Sequence, residues 1–274
     1  MVDVRLDHPR GCNAPGNEPL VAEANLQVAR GEVVMIVGAA GVGTSRLVAA
    51  MLGEVPASAG KIQVMGRDLT KLRRASLRLL RRRVGIVPQE LNLLEERSAQ
   101  LNVVLPLEID GIPRSMSIVR AGELLEELGL EYEAPLPVEC LSGAEKQRVA
   151  VARALIRRPE IVIADHPTSM QDGAGLDLVC NALAKAAAEG AAVVVFGRDH
   201  ALRVYAEHHQ WRMLALVDGK LGPLAQAPAT KVDEIMETPV SAPTPIRPDA
   251  AADIEEEFPN VVPFPLSART AGVA

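Results

Sequence analysis

The sequence lacks any apolar stretch long enough to cross a membrane. A spanning helix needs about 20 consecutive apolar residues, and no run of that length occurs in the 274 residues. The first residues, MVDVRLDHPRG, also lack the apolar core of a signal peptide. We therefore expect a cytoplasmic protein. A composition of 48% hydrophobic and 23% charged residues is typical of one main soluble globular domain.

Cysteines are few and show no pairing pattern. Cys12, Cys140 and Cys180 are odd in number and widely spaced, and no CxxC pair occurs. This excludes a disulfide framework and a cysteine zinc site as the basis of the fold. We predict three reduced thiols.

A basic face is missing from most of the chain. The net charge is −6, and residues 223–274 carry three basic against eight acidic residues, a charge of −5, which leaves about −1 for the rest. A nearly neutral body excludes a general nucleic-acid binder. The one basic run, Lys71–Arg83, has leucines at helical spacing and predicts the solvated side of an amphipathic helix. Contact with anionic lipid headgroups is the alternative.

Short, wholly apolar runs of β-branched residues indicate buried strands. Val33–Val37 is followed by a glycine-rich stretch and by helical apolar spacing over Ser45–Leu52, which predicts strand, loop and helix. Similar runs at Ile161–Ala164 and Ala192–Phe196 predict further strands, and Met213–Val217 before a turn predicts a late one. Continuous rather than alternating apolar strands are typical of a parallel sheet covered on both faces, so the predicted fold class is α/β.

Two segments differ from this sheet pattern. Residues 90–158 are helical in pattern, with AGELLEELGL and AEKQRVAVARALIRR as the clearest pieces, which predicts a helical subdomain inserted between two strands. Toward the C-terminus the composition changes to proline, alanine and acid. We predict an ordered domain over residues 1–222 and a disordered tail over residues 223–274. Phe258 and Phe264 in that tail allow two interpretations, a short docking motif or an unbound linker.

The glycine-rich loop GAAGVGTS carries the first functional signal. A phosphate loop needs glycines so that backbone N–H groups can surround phosphate oxygens, a lysine for the β and γ phosphates, and a hydroxyl for Mg²⁺. Gly38, Gly41, Gly43 and the hydroxyl of Ser45 have the required spacing, but Thr44 stands where the lysine would be. Losing that charge-assisted contact removes about 1.5–3 kcal/mol, tenfold or more in affinity.

Four further motifs follow this loop in a fixed order. VGIVPQE supplies Gln89, LSGAEKQ begins at Leu141, IVIADHPT contains Asp165, and SMQD ends in Asp172. The order is similar to that of ABC ATPases, with Walker A loop, Q-loop, LSGGQ-type signature, Walker B and D-loop. The stretches NVVLPLEIDGI, LSGAEKQRVAVARAL and WRMLALVDGKL resemble the FtsE group of cell-division subunits and the related LolD and MacB class. The resemblance runs from about Glu18 to Leu221.

The resemblance implies a P-loop NTPase core, an antiparallel β subdomain and an inserted helical subdomain, which together form the ABC ATPase domain. It also implies ATP and Mg²⁺ as cofactors, and subunits that pair head to tail around each ATP. The residues at the family's nucleotide-contacting positions are Gly38, Gly41, Gly43, Thr44, Ser45, Gln89, Ser142, Gly143 and Asp172. The residues at its metal positions are Ser45, Gln89 and Asp165.

Several positions depart from the family pattern. Thr44 replaces the lysine, and no lysine occurs within residues 31–60. His166 replaces the glutamate that polarises water, Arg198 replaces the switch histidine, and Ala144 replaces the second signature glycine. The stretch GCNAPGNEP also lacks the aromatic residue that would stack on adenine. Most of these losses fall on the Walker half of the site.

His166 and Arg198 are the candidate catalytic residues at these altered positions. An imidazole titrates in a range that suits a base, but a neutral ring lacks the charge of a carboxylate. The alternative for His166 is a surface histidine at a strand end. Arg198 could supply a cation toward phosphate, or it could turn to solvent or pair with Asp199.

The combined pattern predicts a pseudo-ATPase or strongly impaired ATPase that keeps the ABC shape, and whether it is an enzyme stays open. It would lie on the inner face of the plasma membrane, docked around Gln89 on an FtsX-like or other ABC permease. It would form a homodimer, or a heterodimer with an active ABC ATPase whose site Ser142 and Gly143 would complete. The alternative is an active ATPase that energises lipid, lipoprotein or small-molecule export. A repair-type nucleic-acid ATPase is excluded because the long coiled-coil insertion is missing.

Overall fold

β-Branched residues build the centre of the sheet in the computed structural model, which describes residues 1–8 and 19–226. Val33–Gly38, Ile161–Asp165 and Ala192–Phe196 form strands in which nearly every side chain is buried. Side chains buried on both sides of a strand are typical of a parallel sheet with both faces covered. The strands predicted from these apolar runs are therefore confirmed.

Eleven strands occur in the described residues. In chain order they are β1 (Val2–Leu6), β2 (Val21–Ala24), β3 (Val33–Gly38), β4 (Ala59–Lys61), β5 (Gln63–Val64), β6 (Arg67–Asp68), β7 (Val84–Val87), β8 (Ile161–Asp165), β9 (Ala192–Phe196), β10 (Arg212–Val217) and β11 (Lys220–Pro223). Nine of them form one sheet in the order β4-β1-β2-β11-β10-β3-β9-β8-β7, and β5 pairs with β6.

The pairing divides this sheet into two parts. β10, β3, β9, β8 and β7 run parallel to one another, whereas β1 runs antiparallel to both β2 and β4. β11 turns back antiparallel to β10 and lies parallel to β2, so it joins the two parts. The α/β class with a mostly parallel sheet and added antiparallel strands is confirmed.

Seven α-helices occur in the same residues. They are α1 (Thr44–Met51), α2 (Arg74–Arg81), α3 (Ala99–Ile109), α4 (Arg114–Glu127), α5 (Gly143–Leu155), α6 (Gly173–Ala188) and α7 (His200–His208). None of the helices described is long and apolar enough to cross a membrane.

Alternate residues of β3 belong to two hydrophobic clusters, one on each face of the sheet. Met35 and Val37 join the cluster formed with α3 to α7, and Val34 and Ile36 join the cluster formed with α1, β1 and β2. Successive side chains of a strand point to opposite faces, so one central strand anchors both layers. The end of β3 at Gly38 is thereby held rigidly between them.

Helices α3, α4 and α5 lie between β7 and β8 in the chain and pack on one another. The helical pattern predicted over residues 90–158 is correct for these helices but wrong for residues 90–98, which are irregular, and for residues 128–142, which form turns and a 3-10 helix. The buried Asn102 explains the difference. Its amide donates to the carbonyl of Leu94 at 2.9 Å and its oxygen accepts from the Leu94 N–H at 2.7 Å. These bonds replace the backbone pairs that a helix would have made.

The basic run forms a shorter helix than predicted: of Lys71–Arg83, only Arg74–Arg81 is α-helical.

At the other end of the domain, β11 continues to Pro223 and a 3-10 turn covers Leu224–Gln226. The remainder of the predicted tail, with Phe258 and Phe264, lies outside the described residues. Cys140 and Cys180 are free thiols, and Cys12 lies outside the described residues.

Candidate functional site

The glycine-rich loop joins β3 to α1 and has a backbone that only glycine adopts readily. Gly41 and Gly43 have φ values of 82° and 104°, in the left-handed region. A Cβ atom on Gly43 would also lie 3.0 Å from Cγ of Leu20. Gly43 caps α1 without a side-chain hydrogen bond, so the first N–H groups of the helix have no capping side chain. Such a helix start suits a phosphate group.

Thr44 and Ser45 begin α1, and their environments differ. Thr44 is buried, and its Cγ2 lies 2.7 Å from the position that a Cβ on Gly38 would occupy. Ser45 is exposed and lines the cavity described below. The loop therefore presents backbone N–H groups and one hydroxyl, while Thr44 brings no positive charge to it.

His166 directly follows Asp165 at the end of β8, and the two side chains are in contact. Nδ1 of His166 lies 3.0 Å from Oδ1 of Asp165, with exposed fractions of only 8% and 6%. The backbone N–H of His166 donates to the carbonyl of Phe196 at 2.8 Å, and φ is 52°. The alternative of a surface histidine is wrong, because this bond and the adjoining strand β9 hold His166 inside.

The three predicted metal ligands line a single cavity of about 580 Å³, although they come from distant parts of the sequence. Ser45 lies at the start of α1, Gln89 follows β7, and Asp165 ends β8. Hydroxyl, amide and carboxylate oxygens are donors that suit Mg²⁺. The donor types therefore fit the ion, although one oxygen of Asp165 is already engaged by His166. The described residues contain no cluster of three His, Cys, Asp or Glu side chains, so a metal here depends on Ser45 and Gln89.

Arg198 is buried, with 4% of its surface exposed, in the segment after β9. Of the three interpretations of Arg198, the one in which it turns to solvent is therefore wrong. Asp199 accepts a 2.9 Å hydrogen bond from the hydroxyl of Thr168, which follows β8. Neither Arg198 nor His166 is among the residues that line the cavity of Ser45 and Gln89.

Ser142 caps the N-terminus of α5 in a reciprocal arrangement with Glu145. The hydroxyl of Ser142 accepts from the Glu145 N–H at 3.3 Å, and Oε2 of Glu145 accepts from the Ser142 N–H at 2.7 Å. The hydrogen bonds from Ser142 lower the pKa of the Glu145 carboxyl, so this group is ionised near neutral pH. A negative charge therefore lies at the start of the predicted signature helix.

Gln147 joins this helix to the loop after β8, a role that the sequence analysis missed. Its amide donates to the carbonyl of His166 at 2.8 Å and to the hydroxyl of Ser169 at 3.1 Å. Its oxygen accepts from the N–H of Met170 at 3.2 Å and from the amide of Gln171 at 3.0 Å. The presence of a glutamine among the apolar residues of a helix could have indicated a buried polar contact. Its partners could not be predicted, because they lie about 20 positions away in the sequence.

The predicted D-loop also touches the start of α5 directly. Gln171 donates to the carbonyl of Ala144 at 2.9 Å, and a Cβ on Gly143 would lie 3.0 Å from the sulfur of Met170. Asp172 caps α6 by accepting from the Gly175 N–H at 2.8 Å. The structure therefore gathers the predicted nucleotide contacts into two groups, one around Ser45 and one around Ser142.

Arg153 of α5 holds the segment after Gln89. Its guanidinium donates to the carbonyls of Asn92 and Leu91 at 2.7 Å and 2.5 Å, and burial lowers its pKa. Arg153 and Gln89 line the same cavity. Helix α5, which Ser142 caps, is therefore bonded to the segment beside the predicted metal ligands.

This combination of glycine loop, buried aspartate and capped helix agrees with a comparison against known families. A family model described as ABC transporter matches residues 21–169. The chain belongs to the ABC transporter family. The expected family is thus confirmed, and the roles of the individual site residues stay predictions.

Relatives of known name are ATP-binding subunits. The methionine import ATP-binding protein MetN of Rhizobium etli is 41% identical over 157 residues, covering 57% of this chain and 44% of that protein. The lipoprotein-releasing system ATP-binding protein LolD of Neorickettsia sennetsu is 40% identical over 168 residues, covering 59% of this chain and 73% of that protein. The chain thus spans less than half the length of the MetN relative.

A solved structure shares the fold. The ATP-binding cassette MJ0796, solved as a dimer in a post-hydrolysis state with ADP and Pi, is 29% identical and superposes with a TM-score of 0.71. The match covers 81% of this chain and 97% of that one. The ABC ATPase fold of the chain is therefore confirmed.

Proposed function

We propose that this chain is the nucleotide-binding subunit of an ABC membrane complex and that it hydrolyses ATP weakly or not at all. The observation that carries the proposal is the 3.0 Å contact between His166 and Asp165. Where the family has a carboxylate to polarise water, this chain has an imidazole that is buried against its own aspartate. A general base must reach the proton that it removes, and this ring is already engaged.

The phosphate loop supports the same conclusion. Its backbone has the glycines and the uncapped helix start that phosphate binding requires. The missing lysine lowers the expected affinity tenfold or more, because a charge-assisted contact contributes about 1.5–3 kcal/mol. Weak ATP binding with the triphosphate against Gly41 and Gly43 is therefore compatible with the proposal. Ser45, Gln89 and Asp165 would hold Mg²⁺, which would neutralise phosphate charge there.

The membrane partner would dock in the groove beside Gln89. This groove is the part of the cavity that Leu105, Ile109 and Arg157 line together with Gln89, whereas Ser45 and Asp165 line the part predicted to hold the metal. In the helix that follows α3, Met116 and Val119 are exposed apolar side chains, 65% and 63% accessible, which the partner could also contact. A cytosolic helix of a permease with apolar residues on one side fits such a surface.

The names of the relatives indicate which kind of membrane complex the chain could belong to. The MetN and LolD relatives are named for methionine import and for lipoprotein release. These names favour an importer or a lipoprotein-releasing complex over the FtsE-like cell-division role, and an FtsX-like permease stays a candidate partner. The dimer of the MJ0796 cassette supports pairing of two such subunits. Pairing of this kind could produce either a homodimer or a heterodimer with an active ATPase.

One observation favours the second candidate, an active ATPase of an export complex. Ser45, Gln89 and Asp165 line one cavity in spite of the substitutions around them. If these three residues hold Mg²⁺, the subunit could still hydrolyse ATP. A group outside the predicted catalytic residues would then have to polarise the attacking water.

Nucleotide binding and turnover of the purified chain separate the two candidates. A fluorescent ATP analogue with Mg²⁺ is titrated while phosphate release is followed at steady state. We expect weak or no binding and no turnover. Gly43→Ala is the control for specific binding, because its Cβ would strain the loop and meet Leu20 at 3.0 Å. Tight binding with turnover, both lost in that variant, would reject the pseudo-ATPase and favour the active enzyme.

A further inference from the structure

The exposed side of α2 carries a row of arginines around one apolar residue. Arg74, Arg78 and Arg82 follow one another at intervals of four residues, and all three are exposed. Side chains at this spacing lie on the same side of a helix. Leu79, between the last two of them, has 61% of its surface exposed, while Leu80 is buried. The helix therefore has an apolar inner side and a cationic outer side with one protruding leucine.

This arrangement of charge is unfavourable for the helix itself. Arg73 is the N-cap residue and makes no side-chain cap, Arg74 begins the helix, and no acidic residue lies in the first turn. Cations at a helix N-terminus oppose the helix dipole, and like charges at intervals of four residues repel one another. An anion bound on this side would relieve both effects.

Few of these charges are neutralised within the chain. In residues 1–8 and 19–226 no carboxylate lies within ion-pair distance of Arg73, Arg74 or Arg78. Arg82 lies 3.6 Å from Asp110, and Arg81 donates to backbone carbonyls after α1. Arg74 and Arg78 of the outer row, together with the N-cap residue Arg73, are thus available to an external anion.

An apolar surface adjoins the arginines. The ion pair between Arg82 and Asp110 brings the end of α2 next to the end of α3, where Ile109 is 58% exposed. Leu79 therefore protrudes between Arg78 and Arg82 on α2, and the exposed Ile109 lies near Arg82. Cations with interspersed protruding apolar residues are typical of proteins that lie on an anionic bilayer, because the apolar side chains enter the headgroup region. A nucleic-acid backbone would leave the two apolar side chains in water.

We propose that the outer side of α2 binds the anionic phospholipid headgroups of a membrane surface. Arg74 and Arg78 contact the phosphates, and Leu79 inserts among the headgroups. Arg81 and Ile109 line the groove beside Gln89, so the lipid-binding side directly borders that groove. The contact needs neither nucleotide nor permease, and it goes beyond the function proposed above.

The test is co-sedimentation of the purified chain with vesicles and no other protein. Vesicles of equal parts phosphatidylglycerol and phosphatidylcholine are compared with vesicles of phosphatidylcholine alone. We expect binding to the anionic vesicles only, and a fall in partition coefficient of about tenfold or more for Arg74→Glu with Arg78→Glu. Arg5→Glu with Arg97→Glu changes the net charge equally outside this patch and should bind like the natural sequence.

Leu79→Ser separates insertion from attraction by charge alone. It should weaken vesicle binding most at high salt, where screening removes the electrostatic part. Thermal melting of every variant checks that the fold is retained. Equal binding to both vesicle types, or an equal loss in the control variant, would overturn the proposal. The proposal would also be overturned if an RNA homopolymer displaced the chain from the vesicles at an RNA phosphate concentration below the lipid phosphate concentration.

Discussion

Gln171 donates a hydrogen bond of 3.0 Å to the side-chain oxygen of Gln147, which joins the loop before α6 to the helix that begins after Ser142. The same oxygen accepts the N–H of Met170 at 3.2 Å. Gln147 is buried, so water competes little for these bonds. The predicted D-loop and the predicted signature helix are therefore held together within one subunit.

Replacing Gln147 with leucine should destabilise the fold strongly. Leucine is of similar size but lacks the amide, so the Met170 N–H loses this acceptor and the His166 carbonyl keeps only the Ser169 N–H, at 3.3 Å. The Met170 N–H is left without its acceptor and the Gln171 amide loses one of its two acceptors, so we expect a loss of about 1–3 kcal/mol in the free energy of unfolding. Urea denaturation measures it. Gln100→Leu is the matched control, because the Gln100 amide makes only a 3.4 Å contact to Ile118. Equal losses in both variants would contradict the role of Gln147.

Arg153→Met should loosen the segment that follows Gln89. Methionine keeps much of the buried aliphatic stem but removes the donors to the carbonyls of Leu91 and Asn92. We expect faster amide hydrogen exchange in residues 89–94 with little change in the strands. Arg203→Met removes only an exposed ion pair with Glu207 and should leave that segment unchanged. Unchanged exchange in Arg153→Met would show that other contacts hold the segment.

The central strands could be predicted because each consists of consecutive apolar residues that are all buried. Val33–Gly38 and Ala192–Phe196 are continuous apolar runs, and a parallel sheet is the common way to bury such runs on both sides. Strands such as β1, with only alternate residues buried, and β5, with two residues, give too weak a local pattern. They form because a partner strand is placed beside them by the rest of the chain.

The candidate site was predictable in its residues but less so in its geometry. The motif order identified Ser45, Gln89 and Asp165, which the fold brings to one cavity. The burial of His166 depends on the carbonyl of Phe196, 30 positions later, and no local pattern reports such a contact. The bonds of Gln147 depend on long-range placement in the same way.

Glu145→Ala should lower stability in a pH-dependent way. The hydrogen bonds from Ser142 depress the pKa of this carboxyl below the ordinary value of 4.5. A depressed pKa adds stability that is present above the unfolded value and is lost as the pH falls through the folded value. Because the group is only partly buried, solvent screening reduces the effect, and we expect about 0.5–1 kcal/mol at pH 7, disappearing in acid below pH 4.5. Denaturation of both proteins across this range measures the difference. A difference that grows in acid, or a similar one in Glu139→Ala, would contradict the prediction.

Thr44→Lys should restore much of the missing phosphate contact. The substitution adds a cation at the first residue of α1, beside the uncapped N–H groups of that helix. We expect affinity for a Mg²⁺–ATP analogue to rise tenfold or more, measured by calorimetry. Thr44→Met has a similar length and no charge, so it controls for shape. If Thr44→Met binds as tightly as Thr44→Lys, charge is not the missing factor.

Turnover should need a second change, because tighter binding alone supplies no group to polarise water. His166→Glu, added to Thr44→Lys, removes the ring that contacts Asp165 and places a carboxylate beside the predicted metal ligands. We expect phosphate release only from this double variant, since each substitution supplies a different missing contact. His166→Gln in the Thr44→Lys background removes the ring without adding charge and should stay inactive. If it is as active as the glutamate variant, the imidazole blocks the site by its contact with Asp165. If neither variant turns over while Thr44→Lys binds tightly, the loss of activity lies elsewhere, with Arg198 and Ala144 the next positions to restore.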